Sequence, residues 1–192
     1  LDKVILPLDP GERMNDGTMF PDGSFVVGTM SVEGKAGFGK LWRIVRGQEP
    51  QLVRDGLGIP NGIVWDDVRG VVYWVDSLAG ELSTFSLASD GVDWNNPRST
   101  WDLSADGGAP DGIALDAEGN IWVAKWGASR IQILSPAGDS LAQLPLPVSQ
   151  PTSCVFAGDG KTLFITSATY GLDATQLEAE PHSGRLFVAK PC

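Results

Sequence analysis

Apolar positions along the chain come in short runs, each closed off by glycine, proline or aspartate. The clearest lie at 24–27, 40–44, 71–75, 120–124, 130–134, 162–166 and 185–188. They are rich in β-branched and aromatic residues and have strand length. No window of a dozen residues carries apolar positions at i, i+3, i+4 and i+7 without an interrupting Gly or Pro. The pattern therefore predicts an all-β chain with almost no helix.

The runs repeat in a fixed order. Asn15-Asp16-Gly17 leads through Asp22-Gly23 to the strand at 24–27, and Pro60-Asn61-Gly62 leads through Arg69-Gly70 to 71–75. Pro110-Asp111-Gly112 leads through Glu118-Gly119 to 120–124, and Pro151-Thr152-Ser153 leads through Asp159-Gly160 to 162–166. Matching positions 17, 62, 112 and 153 gives separations of 45, 50 and 41 residues. One four-stranded propeller blade takes roughly 40–50 residues, so each copy reads as a β-meander and the chain as about four blades. A sandwich or an open barrel predicts no such repeated residue order.

In a propeller, residues at one offset near the start of successive inner strands converge on the central channel. On this alignment the offset holds Asp16, Asn61, Asp111 and Thr152, with Arg13 and Asn15 just upstream in the first copy. All four bear oxygen and none bears sulfur or imidazole, a set that suits a hard divalent cation. Asn-Gly and Asp-Gly are also common hairpin-turn dipeptides. Here Pro precedes two of them and apolar strands follow directly, which favours the axial reading. Asp22-Gly23, Glu118-Gly119 and Asp159-Gly160 are the better turns.

Composition narrows the chemistry. The 192 residues hold 14 Lys+Arg against 24 Asp+Glu, a net charge of −10. That balance disfavours nucleic acid and an anionic membrane surface as partners. One histidine excludes a multi-His zinc site, and two cysteines cannot build a disulfide framework. Cys154, in an apolar strand, reads as a small buried hydrophobe, and His182 as an exposed loop residue. Trp42, Trp74 and Trp122 are expected to pack between blades, and Trp126 to wall a pocket. Asp76, just after an aromatic strand, can serve as a turn cap, and the acidic stretch Asp90-Gly91-Val92-Asp93 reads as a solvated turn. Few cysteines and no visible export signal suggest a cytoplasmic setting. The chain starts at Leu1 without Met and stops straight after a strand-like run, so truncation is expected.

Several motifs occur in a familiar order: Arg13-x-Asn15-Asp16-Gly17, Gly28-Thr29-Met30, Pro60-Asn61-Gly62, Tyr73-x-x-Asp76-Ser77, Pro110-Asp111-Gly112 and Trp122-Val123-Ala124. Arg130-Ile131, Leu144-Pro145, Pro151-Thr152 and the run from Leu163 to Ala168 continue it. In this order the sequence resembles the SMP-30/gluconolactonase/regucalcin-like family. The resemblance implies a six-bladed β-propeller, of which residues 1–192 form one partial domain. It also implies one divalent cation (Ca²⁺ first, then Zn²⁺, Mg²⁺ or Mn²⁺) and hydrolysis of a sugar lactone. By resemblance, Asn61 and Asp111 match metal ligands, and Asp111 also matches the catalytic base. Arg13, Asn15 and Glu33 match substrate-binding residues, and Asp76 matches a polar position near the channel mouth. The family's third ligand, a glutamate in a Gly-Glu-Gly-Pro-like motif, has no counterpart in this chain.

The expected mechanism is metal-assisted lactone opening with Asp111 as the base. Two rivals stay open: an organophosphate or ester hydrolase on the same residues, and a non-catalytic calcium-binding propeller. The expected partner is a small-molecule lactone; oligomeric state stays open.

Overall fold

The computed structural model describes residues 6–88 and 91–190. Residues 1–5, 89–90 and 191–192 lie outside them, Asp90 of the acidic stretch included. Strands follow one another as simple antiparallel meanders. The first blade is β1 (Glu12–Met19), β2 (Phe25–Ser31), β3 (Gly39–Ile44) and β4 (Gln51–Leu57), paired in that order. The second is β5 (Pro60–Asp66), β6 (Val71–Asp76), β7 (Glu81–Ala88) and β8 (Gly91–Val92), with β9 (Ser99–Asp102) also pairing to β7. The third runs β10 (Ala109–Leu115), β11 (Ile121–Trp126), β12 (Arg130–Leu134), β13 (Ser140–Pro145). The fourth holds β14 (Pro151–Phe156), β15 (Leu163–Ser167) and β16 (Phe187–Ala189). These are four blades of an all-β propeller fold, as the repeat predicts.

The sequence reading treats the chain as one domain; its contacts group it into two compact units, Leu1–Trp101 and Asp102–Cys192, each of two blades. In the first unit, Val26 and Leu41 of one sheet pack on Ile63, Val72, Trp74 and Phe85 of the next. Alternation along the strands makes this possible, since residues two apart share a face. Trp94 closes the cluster against Phe85, ring centroids 5.2 Å apart. In the second unit Ala114, Trp122 and Ile131 pack on Cys154, Leu163 and Ile165. Trp122 meets Phe156 edge-on at 5.2 Å, a geometry worth about 0.5–1.5 kcal/mol beyond its burial. Trp74 and Trp122 thus lie between blades as expected.

The first hairpin turn of each blade uses one device. Asp22 accepts from the amide of Ser24 (2.8 Å), Asp66 from Arg69 (2.9 Å), Asp116 from Glu118 (2.9 Å) and Asp159 from Lys161 (2.9 Å). Such side-chain bonds to a following amide mimic a backbone turn.

The sequence pattern misses one element, a helix over Ala174–Ala179. It is too short to show a 3.6-residue period, and it is fixed locally by a reciprocal cap between Asp173 and Gln176. Its residues are not buried, which leaves no apolar stripe to read. No helix among the described residues is long and apolar enough to cross a membrane.

Candidate functional site

Every blade carries a β-bulge at the same place on its first strand. The pairing register slips between Met14 and Gly17, Pro60 and Ile63, Pro110 and Ile113, and Pro151 and Ser153. In the first three blades two residues lie opposite one on the second strand, and in the fourth Thr152 is the single extra residue; such a bulge bends the strand and re-aims a side chain. The first bulged residues are Asn15, Asn61, Asp111 and Thr152. This corrects the sequence alignment by one position in the first copy, where Asn15 and not Asp16 is the counterpart of Asn61 and Asp111. Aligning on glycine caused the error, because the second bulged position is Gly62 and Gly112 in two blades but Asp16 in the first.

The same geometry separates the bulges from ordinary turns. Gly23, Gly119 and Gly160, in the true turns, have φ of 80°, 83° and 64°. Gly62 and Gly112 sit in strands β5 and β10 and are not in the left-handed region. Gly112 serves close approach instead: a Cβ there would lie 2.5 Å from the Ser153 Cβ of the neighbouring blade.

In the first unit the structure bonds Arg13 to Asn15, and Asn15 to Pro60, the residue before Asn61. Asn15 Nδ2 donates to the Pro60 carbonyl at 2.9 Å, and the exposed Arg13 guanidinium donates to Asn15 Oδ1 at 3.2 Å. Gly28, opposite the first bulge, leaves room for this: a Cβ on it would come 2.5 Å from Pro60 Cβ. Asn61 is buried, 8% exposed, and its Nδ2 donates to Ser77 Oγ at 2.9 Å. With Nδ2 so engaged, Oδ1 is the Asn61 atom with ligand chemistry. Asp76 accepts from the amides of Gly58 (2.8 Å), Ile59 (2.9 Å), Leu78 (3.2 Å) and Ala79 (3.3 Å). It is a cap that also ties down the segment leading into β5. Asp16 accepts from the Gly17 amide at 2.7 Å, and burial pushes its carboxyl above the ordinary value against that bond. Glu33 is exposed on the turn after β2, where its carboxylate pairs with Lys35 at 2.6 Å.

In the second unit Asp111 is half-buried at the start of β10. Across from Pro110 stands Lys125, with no exposed surface. Its ammonium donates to the Leu103 carbonyl and pairs with Asp106 at 3.2 Å. Burial drives its pKa below the ordinary value even though Asp106 works the other way. Arg130 holds the same loop, donating to the Asp106 carbonyl at 2.6 Å and pairing with its carboxylate at 3.1 Å. Trp126, half-buried, pairs with Ala109 at this end of the sheet. Thr152 Oγ1 bonds Thr166 Oγ1 at 2.6 Å. Sequence reasoning missed Lys125 and Ser77. A lysine inside the apolar run 121–126 and a serine closing a family motif were the available signals.

The remaining titratable candidates settle into structural roles. Cys154 is 5% exposed and burial pushes its thiol up to about 12, so it is no nucleophile. His182 is exposed. A cavity of 630 Å³ in the first unit is lined by Phe20, Arg43, Leu87 and Trp94 among others, and by none of the candidate residues. Among the described residues no three His, Cys, Asp or Glu side chains gather as metal ligands would.

Comparison with known proteins adds the following. Residues 3–169 match the family described as SMP-30/gluconolactonase/LRE-like region. A Bacillus subtilis protein named, provisionally, as the sugar lactone lactonase YvrE is 32% identical, over 99% of this chain and 66% of its own length. Regucalcin of Danio rerio is 35% identical over 93% of this chain and 62% of its own. The crystal structure of a calcium-binding protein, regucalcin from Agrobacterium tumefaciens, superposes with a TM-score of 0.83 at 30% identity. It covers 93% of this chain and 61% of the other. The chain spans less than two thirds of the length of each of these relatives.

Proposed function

The chain belongs to the SMP-30/gluconolactonase/LRE-like family, and from that premise we propose that it acts as a divalent-metal-dependent hydrolase opening a sugar lactone to the aldonic acid. The observation that carries this reading is the repeated bulge, whose first residue is Asn15, Asn61 and Asp111 in three successive blades. Asn61 and Asp111 are the proposed ligands. Amide and carboxylate oxygens fit a hard cation, Ca²⁺ first and then Mg²⁺, Mn²⁺ or Zn²⁺. The Ser77 bond supports this, since it commits the Asn61 nitrogen and leaves Oδ1 for ligation.

A bound cation would supply Lewis acidity at the lactone carbonyl. Asp111 takes the proton from the attacking water and hands it to the departing ring oxygen. Arg13 and Asn15, already bonded to each other, orient sugar hydroxyls, and Glu33 adds a contact from the loop after β2. No serine, cysteine or histidine nucleophile is required, in keeping with an inert Cys154 and an exposed His182.

Hydrolysis of gluconolactone followed by pH-stat, with an aryl ester and a phosphotriester in parallel, tests the reading. Lactone turnover above the spontaneous rate that falls away on chelation is the expected result. Turnover unchanged by thorough metal removal would contradict it. A second reading, calcium binding without turnover, is supported by the likeness to a calcium-binding regucalcin. It predicts calcium binding with lactone opening at the spontaneous rate.

A further inference from the structure

The residue facing the last position before each bulge is the same in register and different in chemistry. Met14 pairs with Thr29, Pro60 with Asp76, and Pro110 with Lys125. All three side chains belong to buried residues, exposed by 0%, 8% and 0%. Asp76 and Lys125 reach back to the segment that leads into the bulged strand, and Thr29 reaches it through Glu12, the first residue of β1. Asp76 accepts the amides of Gly58 and Ile59 at 2.8 and 2.9 Å. Lys125 donates to the Leu103 carbonyl and pairs with Asp106. Thr29 donates to Glu12, whose other oxygen accepts the Asp9 amide at 2.8 Å and Lys40 at 2.9 Å.

We propose that Thr29, Asp76 and Lys125 are positioning residues: one latch position, repeated on the second strand of three blades, fixes the lead-in segment and so sets where Asn15, Asn61 and Asp111 point. A hydroxyl, a carboxylate and an ammonium have no packing role in common, but each matches the group set before its bulge. Amides meet Asp76, a carbonyl and a carboxylate meet Lys125, and a buried carboxylate meets Thr29. Burying ionised groups is costly unless they are bonded in this way. The fourth blade is the internal contrast. Ser167, opposite Pro151, donates to the Arg185 carbonyl (2.8 Å), away from the lead-in, and the bulge there carries Thr152, to which no role is assigned. The functional half of the proposal rests on the reading that Asn15, Asn61 and Asp111 contact substrate or cation.

Backbone hydrogen exchange and calcium titration of the full chain test it together. Asp76→Asn is compared with Asp66→Asn, a buried carboxylate at the far end of the bulged strand β5 that holds Arg69. Faster exchange, by about tenfold, is expected at the amides of Gly62 and Ile63, which Asp76 does not touch, with exchange there unchanged in Asp66→Asn. Calcium affinity should fall about 10–100-fold in Asp76→Asn alone. Should Asp76→Asn not fold, Thr29→Val, which keeps the shape and removes the hydroxyl, replaces it. Faster exchange at Asp16 and Gly17, restored to the wild-type rate by Thr29→Ser, is the expected result. Unchanged exchange at the bulge amides in the latch variants would overturn the latch. Faster exchange in a chain whose wild type binds no calcium would uphold the latch and refute the metal reading.

Discussion

Replacing Gly112 by alanine should destabilise the second unit through a single contact. The new methyl carbon would sit 2.5 Å from Ser153 Cβ and 2.8 Å from Ser153 Cα, with the Ser153 hydroxyl closer still. Carbon atoms in ordinary contact are about 3.5–4.0 Å apart, so one inner strand must move by about 1 Å. Overpacking of this kind costs about 1–3 kcal/mol. Loss of glycine's freedom in the unfolded chain returns about 0.4–1 kcal/mol, because φ at Gly112 suits alanine. The net expectation is a loss of about 1–2 kcal/mol. For a chain of this size that lowers an apparent Tm by about 2–8 °C. Thermal unfolding followed by circular dichroism measures it. The decisive comparison is a double-mutant cycle with Ser153→Gly, which removes the hydroxyl and Cβ and should recover about 1 kcal/mol. A Gly112→Ala protein as stable as wild type, or a cycle with no coupling, would refute the close packing of these inner strands.

Two further outcomes are expected. The Ser24 hydroxyl, then the Arg43 guanidinium, hold the Asp22 carboxyl down at about 2. Its folded pKa therefore lies below the unfolded one, and its contribution to stability is complete above about pH 4 and lost as pH falls towards 2. Screening keeps this below about 1 kcal/mol, because the pair is partly exposed. Urea midpoints of wild type and Asp22→Asn should differ near pH 6 and converge at pH 2, and an equal difference at both would contradict the bond. The Cys154 thiol, raised to about 12 by burial, should resist iodoacetamide at pH 8 in the native protein. Mass spectrometry should find its peptide alkylated only after unfolding; labelling of the native chain at the unfolded rate would show the strand to be open.

The fold was legible because period and punctuation agree: each blade states its inner strand, its Asp turn and its aromatic second strand in one order. Boundaries were less so. Strand β2 extends to Ser31, past the run that ends at Val27, because Gly28 and Thr29 pair with Leu41 and Lys40 of β3 as well as any apolar residue would. The residues of the candidate site were visible as a recurring polar offset, but its register was not. A bulge adds one residue to one strand only, so a reading that aligns glycines cannot tell Asn15 from Asp16. The supports were the least visible. Asp76 could be read as a channel-mouth residue or a turn cap, and only its four amide partners decide. Lys125 in an apolar strand gives no hint that it serves the loop at 103–106, since that contact joins segments about 20 residues apart.

The central claim is that the repeated bulge presents oxygen ligands to a divalent cation. Calorimetric titration of the chain with Ca²⁺ tests it most directly, alongside Asn61→Ala and Asp111→Asn. With few protein ligands the expected affinity is weak, about 10⁻⁴–10⁻³ M. Binding of one ion to wild type, lost or weakened at least about tenfold in both variants, is the predicted result. A titration with no saturable binding, or one unchanged by either substitution, would contradict the account.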